Sequence, residues 1–429
     1  MVAATVSDSL TYGSPNSDTP SAADGAPTGA DAGSVDDIVA IAARGDIILR
    51  IEHEAATSKH VAQFRVDTST LRRHSKYFER LLQAGRFGEG SHVEEQHKRL
   101  KERYESIGAA PSRELPVVSV QDVGRISPVK SIAALCTDLL NIMHGIDTPA
   151  FPPVANLATL AIVADRFDAL EAVKSYVKKK RMIRAIDGKT TPKADNTLTE
   201  EKVRQRLLVA TMLDYSPWTE KYSARLVVRG WVGKEPDLSA ALWWDLPRRV
   251  EEELAYRREC VLETIQSLQS YFLGLYTSRE RQCKLGYDSS PQCDSFQLGE
   301  MVRFFMKVGM LQLQGAVFDA SEPPVPYEGD LHVLLDTIRQ VPEYQIDRNH
   351  SHCGIRTRLI PLLDLLQECL YYIGICPECW QDDRSQYAWT DAKRPLVWKK
   401  QHFRVRTQGH DTRHGELRAM FNATERDWS

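Results

Sequence analysis

The sequence predicts an α+β protein, and three observations carry that prediction. Ile47, Leu49 and Ile51 alternate with Ile48, Arg50 and Glu52 in GDIILRIEH, the period-two pattern of a half-buried strand. A short second run, AQFRVD, repeats the pattern at Phe64 and Val66. Beyond these strands the apolar residues recur mainly at helical spacing as far as about residue 385.

Bulk properties bound what such a chain can be. It has 429 residues, 42% apolar and 26% charged, with a net charge of −3, which is ordinary composition for a globular protein with a sizeable core. That balance excludes a strongly cationic nucleic-acid wrapper, so nucleic acid is not an expected partner. No run approaches the ~20 apolar residues that span a bilayer, so no membrane is expected either. The start, MVAATVSDSL, has neither the basic nor the apolar region of a secretory signal, and the expected compartment is cytoplasm or nucleus.

Residues 1–43 are rich in Ser, Asp, Gly, Pro and Ala and are expected to be disordered, with a short helix beginning near Asp36. Structure is expected from residue 44. EAATSKH reads as the turn joining the two strands, and Asp67-Thr68-Ser69 offers N-cap oxygens to a helix carrying Leu71, Phe78, Leu81 and Leu82. A polar stretch at 86–114 reads as an insert with a charged, solvent-exposed helix. LPVVSV forms a third strand. Helices follow, one through Ile132, Leu135, Leu139 and Ile142 and stopping at Gly145, and one carrying an apolar stripe from Leu157 to Val173. Residues 178–199 read as a polar linker opening on Lys178-Lys179-Lys180-Arg181. Residues 200–385 read as a helical domain, with a long amphipathic helix from Leu254 to Leu275. Residues 386–429 show no period and read as an irregular tail.

Residues 44–177 resemble a BTB/POZ domain. The likeness lies in GDIILRI, in Phe64-x-Val66, in Leu71-x-x-x-Ser75-x-x-Phe78-x-x-Leu81-Leu82, in the helix close DLLNIMHG, and in Asp165-Arg166-Phe167. The resemblance implies a small mixed sheet flanked by helices, and a non-enzymatic adaptor or scaffold that recruits proteins. Where the family carries a basic residue that pairs with the position of Asp46, this chain has Thr68, which weakens a corepressor-binding reading. The segments QCKLGYDSSPQCDSF and NHSHCGIRTRL are similar to the C-terminal region of fungal proteins that carry a BTB domain. Little helix precedes Gly45, so a domain-swapped dimer is not expected, while self-association by other surfaces stays open.

Three constellations bear on function. Phe87-Gly88-Glu89 resembles the apolar-x-Glu element with which BTB adaptors dock a cullin ubiquitin-ligase scaffold, and the structural alternative is a plain loop into the insert. Trp243 to Leu254, with Trp218 and Trp231 upstream, reads as buried packing, since Glu251 to Glu253 cancel the charge of Arg248 and Arg249.

The third constellation is built on cysteine, of which there are eight. Cys283, Cys293, His350 and Cys353 offer four donors of the type that holds zinc in a tetrahedron, with His352 and the Cys376-x-x-Cys379 pair as alternative ligands. Two readings stay open, a structural zinc site and a set of oxidised or inert thiols. No Walker loop, G-x-G-x-x-G, H-E-x-x-H or G-x-S-x-G occurs, so no enzyme is expected. The expected function is an adaptor that presents a client to a cullin-type ligase. The alternative is a nuclear transcriptional co-regulator with a zinc-stabilised helical domain, imported through Lys178 to Arg181.

Overall fold

A computed structural model describes residues 38–55, 58–127, 131–148, 152–235, 237, 239–285, 289–310, 327–382, 388–400 and 405–429. Most of the segment expected to be disordered, 1–37, lies outside them. The described residues from Ile38 onward form one unit with mixed α and β structure, mostly helical.

The alternating aliphatics form β2 (Ile47–Ala55), which pairs antiparallel with β3 (Ser58–Val66) in the register Ile47↔Val66 and Leu49↔Phe64. The strands run further into EAATSKH than expected, because the antiparallel ladder continues to Ala55↔Ser58. The third expected strand is β4 (Val117–Gln121), parallel to β2. A strand was not expected before Gly45. Yet β1 (Ile38–Ala40), in the segment read as the start of a helix, pairs parallel to β3 and completes the order β1-β3-β2-β4. Three residues are too few to show a period, and the edge of β3 supplies the hydrogen bonds.

Strand pleating sends Ile47, Leu49, Ile51, Phe64, Val66, Val118 and Val120 into one large core. Phe64 is fully buried there. Phe64→Ala is expected to cost about 3–5 kcal/mol, read as a lower urea midpoint at unchanged m-value; a midpoint equal to the parent's would show that this face is not packed as described.

The helix expected after Asp67 is two helices, α1 (Thr68–His74) and α2 (Lys76–Leu81). Asp67 caps the first, accepting from the Thr70 N–H at 2.8 Å. Ser75 breaks the run because its hydroxyl accepts from the Phe78 N–H, as an N-cap, and donates to the Phe167 carbonyl at 2.5 Å. The insert holds α3 (Gly88–Arg103), but it is not simply solvated. Leu100, Ala110 and Leu115 are buried against Ile48 on the second face of the sheet, with Tyr104 and Ile107 beside them. Arg65 fixes that layer by donating to the carbonyls of Gly108 and Ala110 at 2.9 and 3.1 Å.

Helices α4 (Ile132–Met143), α5 (Val154–Arg166) and α6 (Leu170–Lys179) follow. The stripe read as one helix is thus two, divided at Phe167–Ala169. The expected linker at 178–199 is also structured. It contains α7 (Met182–Lys189) and α8 (Pro192–Asn196), and Met182 and Ile183 are buried in the same core as the sheet.

Next come α9 (Glu200–Met212), α10 (Ser216–Arg229) and the 28-residue α11 (Val250–Thr277). Arg204 is fully buried and binds Glu200 and Glu251 at 3.0 and 2.8 Å, tying α9 to α11. Trp218 and Trp243 are buried, as the packing reading expects. The chain continues with α12 (Pro291–Lys307), α13 (Leu331–Arg339), α14 (Arg356–Leu370) and α15 (Pro377–Asp382).

The final segment is ordered into β5 (Val397–Lys399), α16 (His410–Asn422) and β6 (Glu425–Asp427), with β5 parallel to β6. Trp389, Trp398 and Trp428 anchor it in the core. Their burial replaces the periodicity whose absence suggested an irregular tail. Among the described residues, no helix is long and apolar enough to cross a membrane.

Candidate metal centres

The four residues singled out as zinc ligands converge. Cys283 lies in the loop after α11, and Cys293 in the first turn of α12, where the Ser290 hydroxyl caps its N–H. His350 ends a 3-10 turn opened by Asp347, and Cys353 follows before α14. All four are buried, and their ligand atoms lie within 4.8 Å of one another. Cys283 Sγ is 3.4 Å from His350 Nδ1, and Cys353 Sγ is 4.0 Å from both Cys283 Sγ and His350 Nδ1.

Zinc–sulfur bonds of about 2.3 Å and zinc–nitrogen bonds of about 2.0–2.1 Å place tetrahedral ligand atoms about 3.4–3.8 Å apart. The cluster is therefore close to the size of an ion's coordination shell. Tyr276 steadies it from α11, donating its hydroxyl to the Cys353 carbonyl at 2.6 Å. Asp347 stands 3.8 Å from His350 Nε2, the side of the ring turned away from the sulfurs, where an outer carboxylate orients a ligating imidazole. His352, an alternative ligand by sequence, points away. It is 64% exposed and bonds Glu343 at 3.0 Å.

Cys376 and Cys379 do not join this cluster but form a second one with His410 and His414. The cysteines straddle the start of α15, and the histidines stand one turn apart at the start of α16. Cys376 Sγ lies 3.1 Å from His410 Nε2, and Cys379 Sγ lies 3.8 Å from His410 Nε2 and 3.6 Å from His414 Nδ1. Close backbone approach positions Cys376. Gly374 passes so near the Glu220 carbonyl of α10 that a Cβ would sit 2.2 Å from its oxygen. The next N–H, of Ile375, donates to Ser223 Oγ at 2.8 Å. A small cavity lined by Arg257, Tyr372 and Trp389 adjoins Cys376 and His414. The sequence reading missed both histidines. Their His-x-x-x-His spacing was the available signal, since residues four apart share a helix face.

Electrostatics in both clusters favours a cation. Burial works to raise the Cys283 thiol, but the Leu285 and Ser290 N–H groups, Cys353 and His350 bring it below its usual value. Cys293 is pushed up by burial and by its thiol neighbours Cys353 and Cys283. In the second cluster, Cys376 is lowered to about 6 against the effect of burial, by His414, the Cys379 N–H and His410. Cys379 is raised to about 12 by burial and by the neighbouring Cys376. His410 is raised to about 9, chiefly by its bond to Cys376 and then by Asp411. In each set one thiol is lowered while another is raised by its sulfur neighbours, and a divalent ion would relieve that crowding. The donor sets, Cys3His and Cys2His2, suit zinc. Four protein donors would make a closed, structural shell around such an ion, whereas a catalytic zinc keeps a position open.

No protein-family model, curated protein or solved structure matches the chain.

The remaining candidates sit in the sheet-bearing half. Phe87 is the N-cap residue of α3 and is 48% exposed, with Glu89 exposed in the first turn. Thr68 satisfies Asp46, donating its N–H at 2.8 Å and its hydroxyl at 2.6 Å to the carboxylate. Lys178 to Arg181 are exposed at the junction of α6 and α7, with Lys180 bonded to Asp147 at 2.8 Å.

Proposed function

We propose that the chain is a non-enzymatic scaffold that recruits proteins through its sheet-bearing half, with the helical half held in shape by zinc. The observation that carries this reading is Phe87, a large aromatic half exposed at the α2–α3 loop with the Glu89 carboxylate beside it. An exposed aromatic next to an orienting charge is the composition of an interface anchor. The β2–β3 hairpin, the two capped helices and the parallel β4 follow in the order expected of a BTB/POZ domain, which supports a cullin-type scaffold as the partner. The closed Cys3His set supports a structural role for the metal.

The reading is tested by capture of a purified cullin N-terminal domain on the immobilised full chain. Phe87→Ala combined with Glu89→Ala is expected to weaken capture at least ~10-fold, in the range of an interface hot spot, with the thermal midpoint unchanged. Equal capture by parent and variant sinks the docking surface. The nuclear co-regulator reading has less support, because its basic tetrad ends one helix and begins another and Lys180 is engaged by Asp147.

A further inference from the structure

We propose that Cys376, Cys379, His410 and His414 bind a second zinc ion, and that this ion exchanges with solvent while the first is retained. Every ligand has a place in the fold that suits the task. Cys376-x-x-Cys379 puts two sulfurs at one helix start, and His410-x-x-x-His414 puts two imidazoles on one face of α16. The sulfur–nitrogen separations of 3.1, 3.6 and 3.8 Å bracket the span of a tetrahedral shell. His410 presents Nε2 to the sulfurs and Nδ1 to Asp411 Oδ1 at 2.9 Å, so an outer carboxylate fixes the ring as in zinc sites generally. With two thiolates and two neutral imidazoles the loaded site is uncharged, which suits its half-buried position.

The two centres differ in access. The His350 side chain is 9% exposed and its three cysteines are buried, whereas the His410 side chain is 41% exposed and His414 is partly so. A chelator can reach the second ion through its imidazole edge; the first requires the surrounding loops to open.

The ion also has a mechanical consequence. The far end of α16 is anchored by buried Leu417, Met420 and Phe421, with Trp389 stacked on Phe421. Its first turn, by contrast, exposes His410, Asp411 and Thr412. Arg413 bonds the preceding loop at Val405 and Gln408, and the metal adds the link from α16 to α15. Zinc loss frees that link and leaves the packed end in place.

The scaffold reading is not needed for this inference: cullin capture can fail while the metal content stands. The test is metal analysis of the purified full chain, followed by zinc release to a colorimetric chelator. Two zinc ions per chain are expected, released in two phases. His410→Ala with His414→Ala should leave one ion and abolish the faster phase, and Cys283→Ser should leave the faster phase intact. Cobalt titration of the apo parent chain needs no variant. It should saturate at two equivalents, with thiolate-to-metal bands of a two-sulfur and a three-sulfur site. A single equivalent in the parent chain, unchanged by the histidine substitutions, overturns the second site. Two ions leaving at one common rate overturn the difference in exchange.

Discussion

Cys283→Ser is expected to empty the Cys3His centre and to destabilise the protein by about 4 kcal/mol or more, the range in which loss of a metal site falls. The reason is geometric. Cys283 is the loop ligand that closes the shell, and without it Cys293, Cys353 and His350 remain buried around an incomplete site. Among the described residues, the apolar cluster between the three segments carrying them, the loop after α11, the first turn of α12 and the turn before α14, is small and includes Leu285, with bonds such as Arg358 to Gln282 beside it. So compact an apolar set would not replace coordination bonds, and on the proposed zinc reading metal binding would be folding free energy. Calorimetry with and without a strong chelator checks this. The parent should lose thermal stability slowly on chelation, and chelated Cys283→Ser should resemble the chelated parent. Acid should act in the same direction, because protons compete with the ion for sulfur and imidazole. An unshifted melting temperature in both the variant and the chelated parent would favour inert thiols.

The second large effect is expected at Glu253. Its carboxylate is fully buried on α11, bonds Arg257 Nε at 2.8 Å, and accepts the Trp389 and Thr390 N–H groups at 2.9 and 3.1 Å. Arg257 passes the connection on by donating to the carbonyls of Ile373 and Gly374 at 2.9 and 2.7 Å and lies over the Trp389 ring. Glu253→Ala leaves that guanidinium buried without its anion, at a cost of about 3–5 kcal/mol. Glu253→Gln should keep part of the loss by preserving shape.

The pH dependence has a definite sign. Burial works to raise the Glu253 pKa, but the Arg257 charge and the backbone donors outweigh it and hold it below its ordinary 4.5. Its stabilisation is therefore complete above 4.5 and is lost as the pH falls through the depressed folded value. The gap in unfolding free energy between the parent and Glu253→Gln should narrow in acid and stay constant from pH 6 to 8. A gap independent of pH down to acid unfolding would mean that Glu253 is not ionised in the folded protein.

The parts of this molecule that were legible in its sequence are those whose signal is local. Strand alternation at Ile47–Ile51 and the cap at Asp67 need only a few neighbouring residues. The first Cys/His cluster was legible because its thiol and imidazole donors match zinc by type. The second was half legible. Cys376-x-x-Cys379 is conspicuous, but its partners lie some thirty residues on, in a segment with no apolar period. Tertiary burial of Trp389, Trp398 and Trp428 orders that segment, and no local pattern reports it. The same limit explains β1, whose strand conformation is set by an edge of β3, and the helices at 182–196, where burial of Met182 and Ile183 outweighs polar composition.

The layer that α3 and the turns after it place over Ile48 dries one patch of the sheet's second face, while Val117, Ser119 and Gln121 of β4 stay exposed. Chain length between Gly88 and Glu114 is for that reason under constraint. A shorter version would uncover Ile48 and Leu115 to water and strip the Gly108 and Ala110 carbonyls from Arg65. What the composition presents as a dispensable polar excursion is a lid, and natural variation in this stretch should spare Leu100 and Ala110 while its outward charges drift.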